Sequence, residues 1–561
     1  MVRNDQASMD NHRYEGMRMQ KNRSTWYKNA VFYEVSARAY FDSNGDGIGD
    51  IKGLTQKLDY IKHLGVDCIW LLPIFPSPLI DDGYDIADYY NIHPDLGTID
   101  DFKELVHKTH QLGMRIIADL VVNHTSDQCE WFIQAEADEH SPYRDYYVWS
   151  DTNKRYSDAR IIFVDSETSN WAWSEKAHKY YWHRFYSSQP DLNYDSPALR
   201  EEMKTIMRFW LDMGIDGFRA DAVPYLIERE GTTCENLPET HAYLKELRQL
   251  MDEEYPECIL LAEANQWPQE LRQYFADGDE FHMAFQFPLM PRIFKALAKN
   301  DCSPIVDILQ MTPEIPETCQ WCTFLRNHDE LTLEMVTAED RKFLWDFYAP
   351  VQRMRQNLGI RRRLAPLLEG NCQKNQLLNA VLFSLPGTPI IYYGDEIGMG
   401  DNIYLEDRDG VRTPMQWNSE RNAGFSSVME EELYLPVIKS DQFSYVHINV
   451  AAQQQDPASL FNTIRKMLSI RKANPVMAVG AYKIISQPVH PALLFIKRTD
   501  AKNTILALHN LSANPIPVDL GSHLQHGQIL FDLMQEKEVH DHTLLLPPYA
   551  FIWLKIIEKN S

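Results

Sequence analysis

An α/β fold built on one closed parallel sheet is predicted by three features of the sequence. Short apolar runs alternate with amphipathic stretches, and the alternation recurs eight times. Charged and polar residues gather at the C-terminal tips of those runs, where barrel strands carry chemistry. After Asn474 the helical stretches stop and short apolar runs follow one another, which reads as antiparallel sheet. The expectation is a (β/α)8 TIM barrel with an inserted small domain after strand 3 and a C-terminal antiparallel β domain.

Residues 1–25 are polar and rich in Met, Arg and Asn, and are predicted to be a disordered tail. Val31–Val35 reads as strand 1, Ile51–Leu64 as one amphipathic helix ending at Gly65, and Cys68–Pro73 as strand 2. Ile99–Leu112 is predicted helical, with Thr98 as N-cap and Gly113 as C-cap. Met114–Val122 is strand 3. From Thr125 to about Tyr186 the chain is rich in Trp, Tyr, Asp and Ser without long periodicity, and an inserted domain is predicted over 125–186. The rhythm resumes with helix Ala198–Met213 and strand Phe218–Asp221. Helix Thr240–Glu253, strand Cys258–Glu263, helix Pro268–Phe275 and strand His282–Phe287 follow. Trp321–Leu325 is strand 7, Gln376–Leu385 a helix and Ile390–Tyr393 strand 8. Helix Leu460–Ala473 closes the series. The barrel is thus expected over 26–124 and 187–474, and a C-terminal β-sandwich over 475–561.

With 561 residues and a formal net charge of −25, the chain is long enough for a large domain plus a small one, and nucleic acid and anionic membranes are poor partners for it. Aromatic residues make up 12%, which suits either a large core or the stacking of flat ligand faces such as sugars. The eight cysteines show no framework, and the lone Cys319-Gln-Trp-Cys322 pair lacks the second pair that a zinc site needs. No apolar run reaches membrane-spanning length and the N-terminus lacks an apolar leader, so a reducing cytoplasm is the expected setting.

The strand tips carry the chemistry. Strand 4 ends in Gly217-Phe-Arg219-Ala-Asp221, and two-residue spacing puts Arg219 and Asp221 on one side of a strand. Alone, that pair reads as a structural ion pair. Strand 3 leads to Asn123-His124, strand 5 to Glu263, and strand 7 to Asn327-His328-Asp329. Strand 2 leads to Asp81-Asp82-Gly83-Tyr84. Three acids at the mouth of one barrel are costly to bury unless used or paired. Separately, Asp42-Ser-Asn44-Gly-Asp46-Gly-Ile48-Gly-Asp50 alternates oxygen donors as a cation loop does, with Gly53 where an EF-hand has its bidentate Glu. It reads either as a Ca2+ or Mg2+ site or as a loop of tight Asx turns.

Asp119-Leu-Val-Val-Asn123-His124, Gly217–Asp221, Ala262-Glu263-Ala264 and Phe324–Asp329 together resemble the four ordered motifs of the α-amylase superfamily of glycoside hydrolases. Gln189-Pro-Asp191-Leu-Asn193 and Gly387–Glu396 resemble two more. The resemblance implies Asp221 as nucleophile, Glu263 as general acid/base and Asp329 as the carboxylate that stabilises the transition state. It implies Asp81, Tyr84, His124, Phe163, Gln189, Arg219, His328 and Arg412 as sugar-binding residues. It also implies a Ca2+ site between barrel and inserted domain, formed by Asn123 and Asp191 and completed by Tyr225, Leu226 and Glu228. The chemistry is that of a retaining enzyme, with two carboxyl groups flanking the bond that breaks. Arg219 is expected to keep Asp221 ionised, and the apolar approach Leu260-Leu261-Ala262 to keep Glu263 protonated.

Longer stretches narrow the resemblance. Tyr225–Gly231, Cys234–Thr240, Asp329–Met335 and Leu358–Arg363 are similar to those of the trehalose synthases, the maltose-isomerising branch. That implies reversible isomerisation of maltose to trehalose by intramolecular glucosyl transfer, with some hydrolysis to glucose, and an enzyme able to self-associate. The competing reading is an α-glucosidase or related α-glucosyltransferase. A catalytically dead scaffold would have a broken acid triad and a transmembrane segment, and neither is present in this sequence.

Overall fold

The computed structural model describes residues 24–485 and 490–558. Most of the predicted N-terminal tail therefore lies outside the described residues. Eight parallel strands close into a barrel: β1 (Phe32–Val35), β2 (Cys68–Leu71), β3 (Arg115–Val121), β4 (Gly217–Asp221), β5 (Ile259–Ala262), β6 (Met283–Phe285), β7 (Gln320–Phe324) and β8 (Thr388–Tyr392). Each pairs with its sequence neighbours, and β1 closes on β8 through Phe32 opposite Ile390. The strands are buried along nearly their whole length, as parallel strands covered by helices are. Trp70, Phe285 and Phe324 fill the inside, with ring centroids 5.4 and 5.5 Å apart.

β4 starts at a glycine for a steric reason. Gly217 has φ of 141°, and a Cβ there would lie 2.1 Å from the carbonyl oxygen of Ile259 on β5. The strand is thereby pressed against β5, which brings the tips of both together. The helix Ile99–Gln111 begins with the predicted cap: Thr98 and Asp101 form a reciprocal capping box.

Two features differ from expectation. The stretch predicted as one helix over 51–64 is two, Ile51–Gln56 and Leu58–Leu64, because Lys57 leaves helical geometry between them. Periodicity is blind to such a break, since the apolar stripe continues through it. The inserted segment contains order that its sequence did not announce: a helix, Glu130–Ala137, and three antiparallel strands, Trp149–Ser150, Trp171–Ser174 and Lys179–Trp182. Its strands are too short for alternation to register; aromatic packing of Tyr156, Trp171 and Trp182 defines them instead. The C-terminal region forms a six-stranded antiparallel sheet accompanied by a two-stranded one. All eight cysteines are free, and Cys319 and Cys322 are buried.

Candidate active site

The tips of β3, β4, β5 and β7 open into one cavity of about 820 Å3, its mouth included, lined by Asp81, Tyr84, His124, Phe163, Asp221, Glu263, His328 and Asp329. The sequence-predicted residues converge here. Gln189 does so through Asp81, donating to its Oδ2 at 2.9 Å.

Arg219 organises the floor. Its Nη1 donates to Asp119 Oδ1 at 2.5 Å and to Asp221 Oδ1 at 2.7 Å, and its Nη2 lies 2.8 Å from Glu263 Oε1. Asp119 is held in turn by Trp70 Nε1 at 3.0 Å and the Tyr84 hydroxyl at 3.3 Å. One guanidinium therefore serves three carboxyl groups, a sharing that the sequence did not announce. Arg219 is not private to Asp221: it favours the charged form, as expected, but burial outweighs it. Burial pushes Asp221 up to about 6, with Arg219 opposing and Asp119 adding to the rise. Burial pushes Glu263 further, to about 8, again against Arg219 and reinforced by Asp221 and Asp329. The order of the two acids is as the chemistry requires: near neutral pH Asp221 is the first to lose its proton and Glu263 keeps its own. Glu263 is also fixed by the main-chain N–H of Ala222, 3.1 Å from Oε2. Ala222 has φ of 50°, an uncommon left-handed conformation for alanine, which points that N–H at the acid.

Asp329 faces the pair from β7. Burial works against its charge, but His328, Arg408 and Arg412 outweigh it and hold the carboxyl well below the usual range. Arg408 Nη1 and Arg412 Nη2 reach its Oδ1 at 2.8 and 3.0 Å. Arg408 also pairs with Asp81 and lies over the Phe163 ring, its Cζ 5.4 Å from the centroid. Sequence reasoning missed Arg408. The available signal was its position four residues before Arg412, in a loop rich in acids that need a cation. Tyr84 stacks on His328 with centroids 5.3 Å apart and planes at 10°. His124 lines the wall, and burial pushes its ring down to about 3, so it stays neutral.

The two candidate cation sites differ in their hydrogen bonding. In the loop Asp42–Asp50 every acid has hydrogen-bond donors. Asp42 accepts N–H groups of Asn44, Gly45 and Gly47 and the Ser426 hydroxyl; Asp46 accepts from Ile48 and Asn44; Asp50 accepts from Ser43 and Gly53. No oxygen of these three side chains is left over among the described residues. These Asx turns fit both readings of the loop, since cation-binding loops are built on the same turns.

The hinge between β3 and the inserted segment is the opposite. Residue 124 bridges to 191, and Leu192 N–H donates to the Asn123 carbonyl. Asn123 Oδ1, Asp191 Oδ2 and Glu228 Oε1 are all buried without a partner among the described residues. Burial, and then Glu228, raises Asp191 well above the usual range; burial raises Glu228 to about 8. Two buried carboxylates and an amide oxygen left unsatisfied together fit a hard cation with oxygen ligands. Among the described residues no three His, Cys, Asp or Glu side chains form a group that could hold a metal ion by themselves, so such an ion would draw on the amide and on main-chain oxygens as well.

Comparison with known proteins places this geometry. Residues 34–355 and 361–480 match the family described as alpha amylase, catalytic domain, and residues 503–555 match the one described as sucrose hydrolase-like, C-terminal domain. The chain is 53% identical over 557 residues to the trehalose synthase/amylase of Mycolicibacterium smegmatis, covering 96% of this chain and 93% of that protein. It is 48% identical over 553 residues to the trehalose synthase of a Pimelobacter species, covering 96% of each. Among solved structures it superposes on the isomaltulose synthase of a Klebsiella species with a TM-score of 0.78 at 28% identity, covering 95% of this chain and 99% of the other.

Proposed function

From the premise that the chain belongs to the alpha-amylase family and, within it, to the trehalose synthases, we propose how its own residues isomerise maltose to trehalose. The observation that carries the reading is the shared guanidinium: Asp221 and Glu263 sit on two nitrogens of Arg219, opposite an ionised Asp329. The non-reducing glucose of maltose binds against Tyr84, His124, His328 and Asp81. Asp221 attacks its anomeric carbon while Glu263 gives its proton to the leaving 4-oxygen of the second glucose. A glucosyl ester on Asp221 results, and positive character at the sugar is stabilised by Asp329. The released glucose turns within the pocket and presents its anomeric hydroxyl. Glu263, now a carboxylate, takes that proton as the oxygen attacks the glucosyl carbon and the bond to Asp221 breaks. Two displacements at one carbon leave the transferred glucose α-linked. Water entering at the ester stage gives glucose instead, which is the hydrolytic side reaction.

A divalent cation such as Ca2+ is held at the hinge by Asn123, Asp191 and Glu228, with main-chain carbonyls of Tyr225 and Leu226 completing the shell. Its part is structural: it ties the end of β3, the inserted segment and the loop after β4 into one wall of the pocket.

The test is incubation with maltose and separation of the products. Trehalose as the main product supports the reading; glucose as the main product makes the enzyme an α-glucosidase.

A further inference from the structure

Glu34 lies on β1, between β2 and β8, and is fully buried. A carboxyl group on the inner wall of a barrel is costly unless it has a fixed partner. Both of its hydrogen bonds go to one residue. Glu34 Oε1 accepts the main-chain N–H of His328 at 3.0 Å and lies 2.6 Å from the ring Nδ1 of the same residue. Its second oxygen, Oε2, is buried without a partner among the described residues. An apolar side chain would cost less here if filling space were the only requirement.

Glu34 engages Nδ1, so Nε2 is the ring nitrogen presented to the cavity; burial raises the Glu34 carboxyl well above the usual range, and the contact at Nδ1 holds with the proton on either partner. Nε2 lies 3.2 Å from Asp329 Oδ2. The ring cannot swing away from that direction, because Tyr84 stacks on its face and Trp70 packs against it at 80° with centroids 5.8 Å apart. Glu34 thus reaches from the first strand to the loop after the seventh and fixes the orientation of a residue at the sugar.

We propose that Glu34 is a positioning residue for glucosyl transfer, holding His328 by Nδ1 so that Nε2 meets the glucosyl unit beside Asp329. The proposal rests on the reading of this cavity as the transfer site. It is tested with Glu34→Gln and Glu34→Leu. The amide of the glutamine can bond both the main-chain N–H and Nδ1, so that variant is expected to keep kcat for maltose within about threefold of wild type. The leucine variant is expected to lose at least about thirtyfold in kcat with KM changed much less. In NMR spectra, a slowly exchanging proton of the hydrogen bond at His328 Nδ1, assigned by its loss in His328→Gln, should appear in wild type and Glu34→Gln and vanish in Glu34→Leu. Wild-type kcat in the leucine variant, equal damage in both variants, or absence of that proton in wild type would each overturn it. The resonance does not depend on turnover. Were the products of maltose glucose alone, the reaction assignment would fail while that proton still decided the role of Glu34.

Discussion

The barrel mouth and the Asp42–Asp50 loop are both crowded with acids, yet they treat them in opposite ways. In the loop each carboxylate faces backbone N–H groups a few residues away, so its partners are local dipoles. At the mouth the acids come from strands distant in sequence and face arginines and one another, so their proton affinities are driven apart. The hinge beside the mouth adds a third arrangement, in which one oxygen each of Asp191 and Glu228 is buried without a hydrogen-bond partner among the described residues. Acid density alone therefore says little. What sets the role is whether the partner is a local N–H, a shared cation or an unmet need.

The sharpest way to break this contrast is at the mouth. Asp221→Asn should lower kcat for maltose by at least a thousandfold, about 4 kcal/mol in barrier, while circular dichroism and the melting curve stay close to wild type. Activity within about tenfold of wild type would remove Asp221 from the nucleophile's place.

The shared guanidinium predicts a pH profile. Below about 6 Asp221 is protonated and cannot attack; above about 8 Glu263 has lost the proton it must donate. A plot of kcat/KM against pH should be a bell with limbs near those values, falling about tenfold per unit outside them. A flat profile between pH 5 and 9 would show that the acids are not tuned as described.

Next in size is the hinge. Chelator treatment should lower the melting temperature by several degrees, and about 2.7 kcal/mol is at stake for an ion present at a hundred times its dissociation constant. Glu228 has a raised pKa in the ion-free fold, so protons compete with the ion. Cation affinity, measured by calorimetry, should rise as pH increases toward about 8 and level off beyond it. Asp191→Asn should abolish that binding, and an unchanged affinity would place the ion elsewhere.

The smallest effect belongs to the loop. Asp46→Ala removes one Asx-turn acceptor from an exposed position and should cost no more than about 1 kcal/mol, with turnover and bound cation unchanged. Loss of one equivalent of cation would establish the cation reading of the loop and end the contrast drawn above.

Much of this was legible before any coordinates. Asp221, Glu263 and Asp329 sit at strand ends that alternation alone located, and Arg219 pointed to Asp221's side by two-residue spacing. Their division between three partners was not legible, because Asp119 and Glu263 reach Arg219 from neighbouring strands and register across a barrel is not written in spacing. Arg408 was hidden for a similar reason: its loop has no period, and only closure of the barrel brings it onto Asp81 and Asp329. Glu34 looked like any residue of a short apolar strand until His328 was seen to depend on it. The Asp42–Asp50 loop kept two readings in the sequence, since alternating oxygens serve turns as well as they serve ions.

Transfer within one closed pocket is the centre of the account, and it can be measured directly. Unlabelled maltose is converted in the presence of excess 13C-labelled free glucose, and the trehalose formed is analysed by mass spectrometry. The account predicts trehalose almost free of label, because the glucose released by Glu263 is the one that returns to the glucosyl group on Asp221. Trehalose labelled in proportion to the free glucose pool would contradict it, since the acceptor would then have come from solution.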